Sequence, residues 1–198
     1  MAANTYLTPE ERAALESVRV GIAGAGGLGS NCAMHLVRSG VKHITIVDFD
    51  VVNESNLNRQ FFFRDQIGQK KVEAIKANLL RIEPDADIRA VDIRLDASSA
   101  REIFADCGIV VEAFDAVDAK VMLVSAFASS GKKLVTASGL AGWGRSNAMR
   151  VRKMGNIVAI GDGETSVGDG AAPASPRVGI AAAMEANVVV SLLLGCEP

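Results

Sequence analysis

Val18-Arg19-Val20-Gly21-Ile22-Ala23-Gly24-Ala25-Gly26-Gly27-Leu28-Gly29 is the stretch on which the fold turns. Val18 to Ala23 is a short apolar run that ends in glycines, the pattern of a buried strand. Gly24, Gly26 and Gly29 then satisfy G-x-G-x-x-G, with Gly27 inside the motif, and helical spacing runs from Gly27 to Ser39. In that helix Leu28, Cys32, Leu36 and Val37 can share one face. Glycines permit the tight turn and a close backbone approach, and the amides at the helix start then face a phosphate. Ile44 to Asp48 reads as a second strand, and Asp48 lies where an acid can accept hydrogen bonds from ribose hydroxyls. The spacing predicts a nucleotide site without naming the nucleotide; G-x-x-x-x-G-K-[ST] is absent.

Beyond this unit the alternation continues. Helices are expected at Lys70 to Ile82, Ser98 to Asp106 and Val117 to Ser129, and strands at Ile88 to Asp92, Ile109 to Glu112 and Lys133 to Ala137. After Gly139 the texture changes. Arg145 to Arg152 and Ile157 to Ile160 read as a strand pair turning at Met154 to Asn156, Gly161 to Pro176 as a loop, and Arg177 to Leu194 as a final helix. The expected fold is α/β: a Rossmann-like, open, mostly parallel sheet with helices on both faces and an antiparallel strand pair near the C-terminus. Residues 1–198 are expected to form one domain, with 18–138 as nucleotide-binding core and 139–198 as a C-terminal region of different texture.

Composition narrows the partners. A net charge of −2 gives no reason to expect nucleic acid or an anionic membrane. No apolar run reaches the roughly 18–20 residues of a membrane span, and the first residues carry no signal pattern. Cys32, Cys107 and Cys196 are scattered and form no CxxC pair, so neither a disulfide framework nor a structural zinc is expected. The chain reads as cytoplasmic.

The aperiodic stretch Phe49 to Asp65 is long for a connection in a compact domain, and such loops are usually functional. From Asp48 through Asp50 to Gln60 it supplies side chains suited to a polyphosphate: Asn56 and Gln60 as neutral donors, and Arg59 as a planar cation. Lys71 adds a point charge at the next helix start. This cation set favours ATP over NAD. Hydride transfer also wants a positioned proton donor, and the chain offers only His35, His43 and Tyr6 in unpromising places. Asp115 follows the strand ending at Glu112 and could either hold Mg²⁺ or cap the helix that follows; Asp118 reads as first-turn dipole complementation.

GAGGLGSN, IVDFDVVNESNLNRQ, IGQKK and EAFDAVDAK, in that order and spacing, resemble the E1-like superfamily that includes ThiF and MoeB, over about Val18 to Gly195. Length and the late SPRVGIAAAMEAN make the chain most similar to the short form of ThiF. The resemblance implies that Gly24, Gly26, Gly27 and Gly29 cradle the nucleotide, that Asp48 binds ribose, and that Asp50, Asn56, Arg59, Gln60 and Lys71 belong to the same site. It implies Asp115 as the Mg²⁺ residue, and Arg59, Lys71 and Asp115 as the catalytic set. The activity implied is adenylylation of the C-terminal glycine carboxylate of a ThiS-like sulfur carrier, with release of pyrophosphate, in thiamine biosynthesis. The alternatives are another ubiquitin-like carrier, such as the small subunit of molybdopterin synthase, or an NAD-binding oxidoreductase. A homodimer is implied as well, with 139–198 as the carrier-binding and dimer region.

Three departures from that family pattern matter. Paired CxxC motifs are missing, and Gly139 to Pro176 contains no cysteine, so the chemistry is expected to stop at the acyl-adenylate. The N-terminal motif from which relatives supply an arginine across a dimer interface is not matched here, and Arg12 is the nearest candidate.

Overall fold

The computed structural model describes residues 6–166 and 170–198. Seven strands form one sheet in the order β3-β2-β1-β4-β5-β7-β6. They are β1 (Arg19–Ala23), β2 (His43–Val47), β3 (Asp87–Val91), β4 (Cys107–Glu112), β5 (Lys133–Ala137), β6 (Arg150–Met154) and β7 (Ile157–Gly161). Every pairing is parallel except β6 with β7. Among the described residues six α-helices connect and cover them: α1 (Pro9–Ser17), α2 (Gly27–Ser39), α3 (Lys71–Ile82), α4 (Ala97–Ile103), α5 (Val117–Phe127) and α6 (Ser175–Leu193).

The interior strands are apolar on both faces, and each face buries its own set of helices. On β4, Ile109 and Val111 join Val20, Ile22, Ile44 and Ile46 under α2, α3 and α6. Val110 points the other way, with Phe104 at the C-terminal cap of α4 and Leu123 and Phe127 of α5. The chain therefore folds as the expected two-sided α/β sheet, with the antiparallel pair at its C-terminal edge.

The structure differs from the sequence expectation in four stretches. Thr8 caps an unforeseen helix, α1: its hydroxyl accepts from the Glu11 N–H, and the Glu11 side chain returns the bond to the Thr8 N–H. Arg145 takes left-handed backbone (φ 49°) and is followed by a single 3-10 turn, Ser146–Ala148, so the outer strand starts at Arg150 rather than Arg145. The loop from Phe49 contains two further 3-10 turns, Glu54–Asn56 and Arg64–Gln66. Of the loop expected at Gly161 to Pro176, Gly161 belongs to β7, Ser175 and Pro176 to α6, and residues 167–169 lie outside the described residues.

Helix α6 is long and apolar enough to cross a bilayer by length and composition. In this fold Val178, Ala181, Ala182, Ala186 and Val189 bury one side of it in the core. Arg177 and Glu185 are buried with them.

Both carboxyl oxygens of Glu185 are buried without a hydrogen-bond partner. Burial pushes its pKa well up, the nearby Glu112 carboxylate pushes it further, and Lys120 pulls it back. Glu112 holds the local charge pair: fully buried, it meets the Lys120 ammonium at 2.9 Å and accepts from the Thr136 hydroxyl at 2.6 Å. A carboxyl whose folded pKa exceeds its unfolded value takes up a proton on folding. Its contribution is fully present below the ordinary carboxylate range and is lost as pH rises above it. Glu185→Gln is expected to remove that loss, so the variant gains on the parent between pH 5 and pH 8 in urea unfolding. Parallel midpoints at the two pH values would contradict a neutral Glu185.

Candidate nucleotide site at the strand switch point

Strand order reverses direction between β1 and β4, and their carboxyl ends form the crevice where open α/β sheets bind ligands. The glycine turn lies there. Gly24 has φ 106°, and a Cβ on it would sit 2.8 Å from the Ala113 carbonyl oxygen, just past β4. Only glycine lets the two strand ends run this close.

Asp48 organises the turn from the β2 side. One carboxylate oxygen accepts the Ala25 N–H at 2.7 Å, and the other accepts the Asp50 N–H at 2.8 Å. Asp50 in turn accepts from the Lys71 ammonium at 2.9 Å, and its carbonyl accepts the Lys71 N–H at 2.9 Å. One chain of bonds thus runs from the glycine turn through two acids to a lysine. The lysine is buried, whereas Asp50 is half exposed.

The loop arrives from the other side. Asn31 on α2 donates to the carbonyls of Gly27 (2.6 Å) and Arg59 (2.8 Å). The Arg59 stem passes over Gly27, its Cγ 3.6 Å from where a Cβ would be. Arg59 donates to Asn58 Oδ1 at 2.8 Å and has no carboxylate within ion-pair distance among the described residues. Its charge is therefore free for an anion. Gln60 is buried, its Nε2 is 4.0 Å from the Cβ position on Gly26, and its Oε1 has no partner. A half-turn of that amide presents a donor in place of the acceptor, so the position suits either a hydroxyl or a phosphate oxygen. Asn56 spends its Oδ1 on the Asn53 N–H at 2.9 Å, which shapes the 3-10 turn and leaves Nδ2 as a donor.

Asp115 follows Phe114, whose ring is 3.4 Å from the Cβ position on Gly24. It is exposed, and it does not cap α5: the cap residue is Ala116, with no side-chain bond. The capping alternative for Asp115 is thereby removed. Among the described residues no group of three or more His, Cys, Asp or Glu could hold a metal. Ligands for Mg²⁺ beyond Asp115 would thus come from phosphate oxygens and water.

Three contributors went unremarked in the sequence. Ser30 donates to the Gly26 carbonyl at 2.6 Å and accepts the Phe61 N–H at 3.0 Å, and Asn31 ties the loop to the turn as described. Both stand in the GLGSN run, where a polar pair just inside a helix start was the available signal. Val178 of α6 backs the turn, its Cγ1 2.9 Å from the Cβ position on Gly27; that contact spans 151 positions and has no local signature. Cys107 is buried at the start of β4, and burial, then the Asp106 carboxylate, pushes its thiol up to about 11. Cys32 is likewise raised, by burial and then by Glu185, so neither is a ready nucleophile. Arg12 folds back on its own helix start, donating to the Leu7 carbonyl at 3.2 Å.

Comparison with known proteins bears on the family and the fold. The chain is 36% identical over 127 residues to the adenylyltransferase and sulfurtransferase UBA4 of Eremothecium gossypii, covering 64% of this chain and 29% of that protein. It is 37% identical over 115 residues to the molybdopterin-synthase adenylyltransferase of Salmonella typhimurium, covering 58% and 46%. The chain thus spans less than half the length of these relatives. In fold it matches the E. coli tRNA N6-threonylcarbamoyladenosine dehydratase TcdA, solved with AMP, with a TM-score of 0.86, 20% identity, and coverage of 94% and 90% of the two chains. The model of the ThiF family matches residues 2–198, so this chain belongs to the ThiF family.

Proposed function

We propose that this chain uses ATP to adenylylate the C-terminal carboxylate of a small ubiquitin-like sulfur carrier. The observation that carries the reading is the bonded chain from Ala25 through Asp48 and Asp50 to Lys71, with Arg59 over Gly27 and without a carboxylate partner among the described residues. Two cations and a glycine cradle at one strand switch point suit a triphosphate. The named adenylyltransferases among the relatives support the same activity.

In this reading the amides at the start of α2 meet phosphate oxygens, and Asp48, with lone pairs to spare beyond its two N–H bonds, receives the ribose. Asn56, Gln60, Arg59 and Lys71 line the polyphosphate, and Asp50 keeps the Lys71 ammonium in place. Asp115 would hold Mg²⁺, which supplies charge neutralisation across the phosphates. The carrier's carboxylate oxygen forms a bond to the α-phosphorus as the bond to the β-phosphate oxygen breaks, and pyrophosphate leaves. A carboxylate is already ionised at neutral pH, so the protein's work is alignment and neutralisation rather than proton transfer. Residues 139–198 serve the carrier and a second copy of the chain, with the half-buried Ile180, Met184 and Leu192 of α6 as dimer contacts. Thiamine biosynthesis is the pathway that the short-ThiF resemblance favours, and the molybdopterin-synthase relative keeps the second carrier in view.

Carrier-dependent exchange of labelled pyrophosphate into ATP tests this activity. No exchange with either a thiamine-type or a molybdopterin-type carrier would sink it. An oxidoreductase is disfavoured by where its proton donors fall. His43 opens β2 at the rim opposite the glycine turn, and His35 lies well along α2. Tighter binding of NADH than of ATP in parallel titrations would reverse that ranking.

A further inference from the structure

Trp143, the only tryptophan of the chain, is 76% exposed. A lone surface tryptophan is unremarkable in itself; the backbone beneath this one is not. Gly142 and Gly144 on either side have φ of 78° and 66°, and Arg145 follows at 49°. Left-handed backbone at a non-glycine residue persists only where its surroundings enforce it.

Here the enforcement comes from three directions. The Gly142 N–H donates to the Ala172 carbonyl at 2.9 Å. Arg145 pairs with Glu164 at 2.9 Å. Arg177 donates to the Gly144 carbonyl at 2.6 Å while pairing with Asp162 at 2.5 Å, both partners being buried. Asp162 also accepts the N–H groups of Glu164 and Thr165 at 2.9 Å. Burial alone would raise its pKa, but the Thr165 and Glu164 bonds, with Arg177, hold it below the usual carboxylate range. The next residue after Arg177 is Val178, which backs Gly27. One buried ion pair thus joins the loops leaving β5 and β7 to the helix end behind the glycine turn.

The location says what such a brace is for. The glycine turn, Asp48 and Lys71 occupy the β1–β2 half of the carboxyl rim. The loops leaving β5 and β7 make up the far part of the same rim, beyond Asp115 at the exit of β4. On that side Val117 and Val121, one helical turn apart at the start of α5, are 72% and 58% exposed beside the exit of β4.

We infer that Trp143, held out by the Arg177–Asp162 brace, is the aromatic anchor against which the carrier docks as its glycine tail enters the site. This rests on the carrier-adenylylation reading above. An aromatic side chain carried on a braced backbone costs little backbone freedom on association, and tryptophan is among the residues that dominate binding energy at interfaces.

The test uses a tryptophan-free ubiquitin-like carrier ending in Gly-Gly, so that all emission comes from Trp143. Titration of the full chain is expected to shift and change that emission. In pyrophosphate exchange, Trp143→Ala is expected to raise KM for the carrier about tenfold or more and leave KM for ATP unchanged, while Trp143→Phe stays within about threefold of the parent. Trp143 is exposed and belongs to neither buried cluster, and melting curves of the variants check that the fold is kept. Exchange by the parent with no emission change and an unaltered carrier KM in Trp143→Ala overturns the anchor. An emission change without any exchange supports the anchor and overturns the adenylylation reading instead.

Discussion

Gly29→Ala will cost the protein roughly 3 kcal/mol of stability and abolish nucleotide binding, although glycine-to-alanine changes inside helices normally stabilise. Gly29 stands in the first turn of α2, where an added Cβ would fall inside the contact radius of the Gly24 carbonyl oxygen and 2.9 Å from its carbon. The Ala113 methyl, 3.2 Å away, blocks retreat toward β4. These atoms are backbone or core, so the turn itself has to move, and with it the Ala25 N–H that Asp48 holds. For a chain of 198 residues the loss corresponds to a Tm lower by roughly 6–12 °C. Gly179 is the internal control. It lies in α6 with nothing within 4 Å of its Cβ position, so Gly179→Ala should be neutral or gain up to about 1 kcal/mol. Differential scanning calorimetry and calorimetric titration with ATP measure both. A Gly29→Ala protein that melts with the parent and binds ATP would mean that the close approach of turn and strand is not required.

That contrast marks what a sequence can carry. The glycine turn, the two-sided strands and the helix starts are written in local residue order, because strand period, turn chemistry and capping act over a few positions. Even α1 was legible in Thr8, Pro9 and Glu11, a capping box with proline at the first helical position. The residue types of the site were equally visible: Asn56, Arg59, Gln60 and Lys71 stand in one loop and one helix start. Their division of labour was not. That Asn56 uses its oxygen to shape a turn, that Asp50 faces Lys71, and that Asp115 leaves the helix cap to Ala116 depend on side-chain direction rather than spacing. The buried polar groups were least legible. Arg177 reaches Asp162 and Gly144, and Glu185 lies near Glu112 and Lys120, through contacts that only the folded sheet brings together. The late start of β6 has the same origin, since the left-handed Arg145 belongs to a loop braced from α6.

Arg59→Ala will remove at least about 10³-fold of the exchange rate at saturating substrates while leaving the fold intact. A cation that meets charge developing on transferring phosphoryl oxygens is worth on the order of 10³ to 10⁵ in rate, more than a neutral donor supplies. Arg59 is placed for that role: its stem lies over Gly27, and its charge has no carboxylate partner among the described residues. Its own bonds in the protein are to the Ser55 carbonyl at 3.3 Å and to Asn58 Oδ1 at 2.8 Å, both toward solvent. Losing them should move Tm by no more than about 2–3 °C. Lys71 is the harder case, because its removal also strands Asp50 beside the turn. Arg59→Lys separates charge from geometry. If two phosphate oxygens are bridged by the planar guanidinium, lysine restores only part of the rate, since an ammonium offers a point charge and not a fork. Exchange assays on the three proteins, with melting curves alongside, give the answer. An Arg59→Ala enzyme that exchanges pyrophosphate at the parental rate would remove Arg59 from the phosphate site and leave Lys71 as its principal cation.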